Sequence, residues 1–305
     1  MTLWRSKYFH LWTCRAPARR TAAGRVHSPL ASPPAARALV VSLATACSRA
    51  MPNDDGSERG LAAWIRRWWR PLIAETVATA LLVSLGVASL LPVGGKEPPL
   101  THAAFAFGIV VLANVEAFGP TSGAHMNPSV TLAALLDGRI GPVAAAAYVV
   151  AQSFGATIGF GLLMALCPDA FAAGGHVGGN APGSVGAAAA AGVEALLTAV
   201  LALLCCAAWA AAERGARDPA LSIKLGLTVA GLVYAGGVMS SASLNPARSL
   251  GPALLVGFRS DHWVYWAGPL GGAALGALLH RYVLRPPRAA ASRSEELPLN
   301  DKGDR

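Results

Sequence analysis

Between residues 71 and 284 the chain alternates long apolar runs with short polar breaks. Six runs are long: 71–91, 102–118, 142–166, 186–210, 222–239 and 262–284. Most approach the ~20 residues an α-helix needs to cross ~30 Å of hydrocarbon. Lipid offers no partner to a bare N–H or C=O, so each long run is predicted as a membrane-crossing helix. Gly and Ala recur throughout, and small residues let such helices approach closely, which predicts a tightly packed bundle. Two further apolar runs, 127–136 and 245–255, are too short to span. Each covers about half a bilayer. They fall between the second and third long runs and between the fifth and sixth.

Both short runs open on an Asn-Pro pair. The first reads Ser122-Gly123-Ala124-His125-Met126-Asn127-Pro128-Ser129-Val130, and the second reads Ser243-Leu244-Asn245-Pro246-Ala247-Arg248-Ser249. Asn followed by Pro is an ordinary helix start, with Asn as the cap and Pro in the first turn. Inside hydrocarbon, however, a helix start needs a reason.

The spacing supplies one. Glu75 opens the first long run and Glu194 lies in the fourth; Glu75 precedes Asn127 by 52 residues, and Glu194 precedes Asn245 by 51. Each half repeats the order span with an acid, span, Asn-Pro half-helix, span. Three spans per half is an odd number, so the second copy sits inverted, and the two half-helices enter from opposite faces with their N-termini meeting near the midplane. The predicted fold is therefore an all-α membrane protein of six transmembrane helices plus two re-entrant half-helices, built as inverted three-helix repeats. The first repeat covers 71–166 and the second 186–284, joined by an extracellular loop, 167–185.

The flanks complete this organisation. Residues 1–59 are rich in Arg, Ala, Ser and Pro and read as a disordered basic leader, with a targeting segment or an early start codon as alternatives. Residues 60–70 combine Trp64, Trp68 and Trp69 with Arg66, Arg67 and Arg70, which suits an interfacial amphipathic lead-in. Residues 285–305 read as a cytoplasmic tail. Loop charge sets the topology. The 167–185 loop has no Lys or Arg, whereas Arg139, Arg214, Arg217, Lys224 and the tail arginines fall on the other side, with Lys96 and Arg259 as exceptions. Both termini are accordingly expected in the cytoplasm, of a multi-pass plasma-membrane protein.

Composition agrees: 54% of residues are hydrophobic and 13% charged, about half the ~25% usual for soluble domains. The net charge of +9 does not point to nucleic acid, because residues 1–53 hold eight Lys or Arg and no acid, which leaves 17 basic against 16 acidic residues elsewhere. The five cysteines, Cys14, Cys47, Cys167, Cys205 and Cys206, form no framework, so neither a disulfide nor a metal site is read, and no cofactor is implied. No nucleophile–base pair or phosphate loop stands in the spans, which argues against an enzyme.

The chemistry lies at the half-helix starts. Each N-terminus carries a dipole worth about +0.5 charge. Asn127 and Asn245 add amide donors for a single file of hydroxyl-bearing molecules, and the same positive ends repel cations and protons. Arg248 is the charge in the second half-helix, and an Arg at membrane depth is expensive and usually functional, snorkelling being the alternative. Glu75 and Glu194 read as buried braces for the non-helical stretches ahead of the half-helices. His125 reads as a packing residue or a pH gate.

These stretches resemble the paired Asn-Pro-Ala boxes of the aquaporin (major intrinsic protein) family: Asn127, Pro128 and Ser129 in one half, Asn245, Pro246 and Ala247 in the other. Ala74-Glu75-Thr76, Tyr148, Gln152 and Trp263–Pro269 are similar as well, and the likeness covers about residues 65–285. It implies a homotetramer with one pore per subunit. Ser129 departs from the family's usual Ala, and a slight polarity change at the pore centre is the expected consequence.

The family's outer constriction falls on Phe107, Val233, Ala242 and Arg248. Water-selective members usually have His at the Val233 position. Its replacement should widen the constriction and leave one wall apolar, admitting glycerol or urea alongside water. The glycerol-facilitator marks are missing, since Ser249 stands for Asp, Ala253 for Lys or Arg, and Tyr265-Trp266 for a Pro-containing pair. The chain thus resembles the water-channel branch with an altered filter, similar to insect channels that moved from water to glycerol. The expected function is passive conduction of water and small uncharged solutes across the bilayer, with exclusion of protons and ions. A strictly water-selective channel and a non-conducting adhesion or signalling protein on the same fold are the alternatives.

Ala242 stands at the family's usual mercury-sensitive Cys position. Mercurials should therefore block swelling of vesicles carrying the protein only weakly; strong block relieved by replacing another Cys would contradict this.

Overall fold

A computed structural model describes residues 60–285, apart from 93, 94, 173, 174, 184 and 217. The expectations for the leader before residue 60 and for the tail beyond 285 lie outside the described residues. In chain order the helices are α1 (Leu61–Ala88), α2 (Leu100–Ser122), α3 (Pro128–Leu136), α4 (Pro142–Leu166), α5 (Pro168–Phe171), α6 (Ala187–Glu213), α7 (Leu221–Ser240), α8 (Pro246–Val256) and α9 (Val264–Leu279). A π-helical turn, His280–Leu284, continues α9. By length and composition α1, α2, α4, α6 and α7 can each cross a membrane. The sixth long run of the sequence forms α9 and its π turn, of 16 and 5 residues. The half-helices α3 and α8 have 9 and 11 residues.

One boundary differs from the sequence reading. The stretch 60–70 is not a separate lead-in; α1 starts at Leu61 and runs through Pro71 without a break. The cause is tertiary. Trp68, 1% exposed, is buried with Ala134, Ile140, Ala144 and Ala145, and its ring meets Tyr148 edge-on at 5.8 Å. Trp64 stacks on Trp68 at 6.2 Å. Packing of this kind outweighs the single backbone hydrogen bond that proline removes.

The packing repeats between halves. Helix α1 lies along α4 as α6 lies along α9; α1 meets α2 as α6 meets α7; and α2 meets α7 across the centre. Each half-helix packs on the last span of the other half, α3 on α9 and α8 on α4. Glycines set these distances. A Cβ on Gly155 would lie 2.2 Å from the Thr76 carbonyl oxygen, and one on Gly159 2.2 Å from that of Ala80. The second half matches: a Cβ on Gly272 would lie 2.0 Å from the Ala195 oxygen, and one on Gly276 2.5 Å from that of Ala199. Between α2 and α7, Gly108 and Gly226 face each other's backbone in the same way. Without a hydrophobic force between helices in lipid, such close backbone contact is what holds the bundle together.

The connection into α7 lies outside the spans. Asp218 accepts from the Ala220 N–H (2.9 Å) and pairs with Lys224, whose ammonium holds its carboxyl below the usual carboxylate range.

Replacing Gly272 by Ala should drive α6 and α9 apart at a cost of about 1–3 kcal/mol. Thermal unfolding of the detergent-solubilised protein should show a lowered Tm, while Gly271→Ala, where a Cβ meets nothing within 4 Å, should not lower it.

Candidate functional site

The two half-helices begin in the same way. Asn127 is extended, and its Oδ1 accepts the Ser129 N–H at 2.8 Å, with Pro128 in the first turn. The Asn245 Oδ1 accepts the N–H groups of Ala247 (3.0 Å) and Arg248 (3.2 Å), with Pro246 in the first turn. Each amide nitrogen then crosses to the other half. Asn127 Nδ2 donates to the Leu244 carbonyl at 2.9 Å, and Asn245 Nδ2 donates to the Met126 carbonyl at 2.7 Å. The N-termini of α3 and α8 therefore meet inside the bundle. A primary amide has two N–H donors. One is spent on the cross-tie, which leaves one per asparagine for another partner.

The loops leading into these helices are strained. Ala124 and Met126 have φ of 49° and 52°, and Ser241, Ala242 and Leu244 have 67°, 43° and 55°. Among the described residues, every non-glycine side chain with left-handed φ lies in these two loops. Each such residue costs on the order of 1–3 kcal/mol and persists only if its surroundings over-determine it. Buried carboxylates do so. Glu75 accepts from Ser122 Oγ (2.6 Å), the N–H groups of His125 (2.9 Å) and Met126 (2.7 Å), and Gln152 Nε2 (2.8 Å). Glu194 accepts from Ser240 Oγ (2.8 Å) and the N–H groups of Ser243 (2.8 Å) and Leu244 (2.7 Å). Bonds to an ionised acceptor are roughly twice as strong as neutral ones.

Ser129 and Ala247 are fully buried. The Ser129 hydroxyl is buried and makes no hydrogen bond to another group among the described residues. His125 bonds through Nδ1 to Thr131 Oγ1 (3.1 Å) and packs its ring against Tyr148 and Trp209. That is the geometry of a packing residue.

Arg248 is 3% exposed and does not snorkel. Its guanidinium lies 5.4 Å from the centre of the Phe107 ring. Phe107, Val233 and Ala242 are buried in one apolar cluster with Leu244 and Ala247. The Phe107 ring sits in the space that Gly86 leaves, where a Cβ would come within 2.3 Å of it. Sequence reasoning missed what holds Arg248. Its Nη1 donates to the Gly178 carbonyl (3.1 Å) and to Asn180 Oδ1 (2.6 Å). Asn180 Oδ1 also accepts from Ser249 Oγ (2.9 Å), which pairs with Ser243 Oγ (2.6 Å). The loop carrying Asn180 is itself fastened to the end of α7, through Ser241 Oγ to the Ala181 carbonyl (2.7 Å) and the Gly183 N–H to Met239 (2.8 Å). The available signal was small: an Asn after two glycines in a loop without cations, with acceptors to offer a buried Arg.

The chain matches the family model described as major intrinsic protein over residues 64–280. It is 41% identical over 236 residues to human (Homo sapiens) Aquaporin-2, covering 75% of this chain and 83% of that protein. It is 39% identical over 229 residues to Aquaporin-5 of Sus scrofa, covering 71% and 82%. Among solved structures it resembles the aquaglyceroporin from Plasmodium falciparum, with a TM-score of 0.61, 20% identity, and coverage of 71% of this chain and 97% of that one. At that identity the likeness concerns the fold alone.

Exchanging Glu194 for Gln turns one acceptor towards the Ser243 and Leu244 N–H groups into a donor. An unsatisfied buried group costs about 1–3 kcal/mol. The variant should unfold at lower temperature, and hydrogen exchange at these two amides should accelerate by about tenfold or more.

Proposed function

The chain belongs to the major intrinsic protein family, so it is a multi-pass membrane channel and not an enzyme; on that premise we propose that it conducts water together with small uncharged solutes such as glycerol or urea, and excludes protons and ions. The observation that carries the solute reading is the wall around Arg248, with one cation, one aromatic ring set back over Gly86, and the small apolar Val233 and Ala242. A polyol presents hydroxyls on one side and carbon on the other. Arg248 supplies donors to the first, and Phe107, Val233 and Ala242 supply an apolar wall to the second. Asn180 acts here as a positioning residue, because Arg248 can offer its remaining N–H groups in a fixed direction only while Nη1 is held.

Passage then runs in single file past Asn127 and Asn245. Each has one free N–H to offer, so a molecule there turns its oxygen towards the asparagines. The two dipole ends add about +0.5 charge each and, with Arg248, oppose cations and protons. The rest of the path binds weakly, which permits release.

The organisation follows the same reading. The repeats 71–166 and 186–284 form one channel per subunit, and four subunits assemble through exposed apolar faces of the spans. The protein lies in the plasma membrane with both termini cytoplasmic, the side that carries the excess of Lys and Arg.

Proteoliposomes containing the full chain should swell in water, glycerol and urea gradients. Val233→His should cut glycerol flux by about tenfold or more while keeping water flux. Glycerol flux absent from the wild type would leave the strictly water-selective reading. No flux of any kind would leave the non-conducting one.

A further inference from the structure

At the end of the bundle away from Asn180, the C-cap of α3 meets α6 and the π turn. Asp137, Cys206 and His280 come together there from these three elements, all buried, with one donor atom from each within 4.8 Å of the others. We propose that they form a binding site for a thiophilic divalent ion of the zinc class, which clamps the end of half-helix α3 to α6 and to the last span.

The donor set is the first argument. Thiolate, imidazole and carboxylate together suit Zn²⁺ or Co²⁺ and do not suit Mg²⁺ or Ca²⁺. Separations of 69 and 74 residues hide this set from any reading of sequence spacing. The surroundings are the second. Cys206 packs with Ala133, Ala202, Ala273 and Ala277, a dry wall of small side chains. The π turn that ends α9 carries His280 into this corner, where it is buried.

Two arginines already face the Asp137 carboxylate, Arg139 Nε at 2.7 Å and Arg285 Nη1 at 3.7 Å, while His280 Nδ1 lies 3.4 Å away. Both arginines have a second acid. Arg285 Nη2 reaches Glu213 at 2.7 Å, and Arg139 pairs with Glu213 through Nη1. Asp137 can therefore turn an oxygen to a metal without leaving either cation unpaired. Binding converts the Cys206 thiol to thiolate and releases that proton to solvent, which limits the added charge to about one unit. Arg281 already holds the last carbonyl of α3, at Leu136. The ion would add a second tie to the same helix end.

The test uses the full chain in detergent or nanodiscs. Co²⁺ should produce a thiolate-to-metal charge-transfer band in the near ultraviolet, and Zn²⁺ should raise Tm in a dose-dependent way. Cys206→Ser should abolish the band, and His280→Gln should weaken Co²⁺ affinity by more than about tenfold. Cys205→Ser should retain both signals. If Cys206→Ser does not fold, the affinity of His280→Gln decides. A folded wild type that shows no band, or variants that bind Co²⁺ and gain Tm as the wild type does, would overturn the proposal.

Discussion

A loop that turns back in the middle of a bilayer carries backbone N–H groups that lipid cannot satisfy, and the arrangement of this protein follows from how it meets that constraint. Glu75 and Glu194 reach from the first span of each half into the loop ahead of the half-helix. Each takes two consecutive backbone N–H groups and a serine hydroxyl. Backbone so held can keep left-handed residues such as Met126 and Leu244. Those residues in turn present their carbonyls to the opposite asparagine. Removing either carboxylate would leave the strain without its compensation, and the cross-tie would lose its acceptor.

The cross-tie makes one site from two repeats. Each asparagine caps its own helix with oxygen and binds the other half with nitrogen. Neither half is complete alone, because each amide nitrogen needs a carbonyl from the other loop. The glycine contacts do the same for the spans. Gly155 on Thr76 and Gly272 on Ala195 bring the first and last helices of each half to backbone contact, which fixes the distance over which Glu75 and Glu194 must reach. The end that carries Arg248 breaks this symmetry. Arg248 exists in one half only, and the loop before α6 is shaped to hold it through Gly178 and Asn180.

Much of this was legible in the chain. Run lengths separate spans from half-helices because hydrocarbon thickness is a fixed ruler. The repeat could be read because Glu75 and Asn127 recur as Glu194 and Asn245 at nearly equal spacing. Asn180 was not legible, since an Asn in a loop carries no periodic signal and its partner lies 68 residues away. The continuity of α1 through Pro71 was hidden for a related reason: local proline chemistry argues for a break, and only Trp68 against Tyr148 argues against it.

The sequence by itself determined the solvent, the number of crossings, the inverted repeat and the residues at its centre, because each depends on local composition or on spacing along the chain. Only the tertiary structure decided what each polar group does once buried. It buried the Ser129 hydroxyl, spent one N–H of each asparagine on the opposite loop, and tied Arg248 to Asn180. It also brought Asp137, Cys206 and His280 to one point. The physical reason is common to all four. A buried donor or acceptor must find a partner or go without, and which partner comes within 3 Å depends on how closely the helices pack.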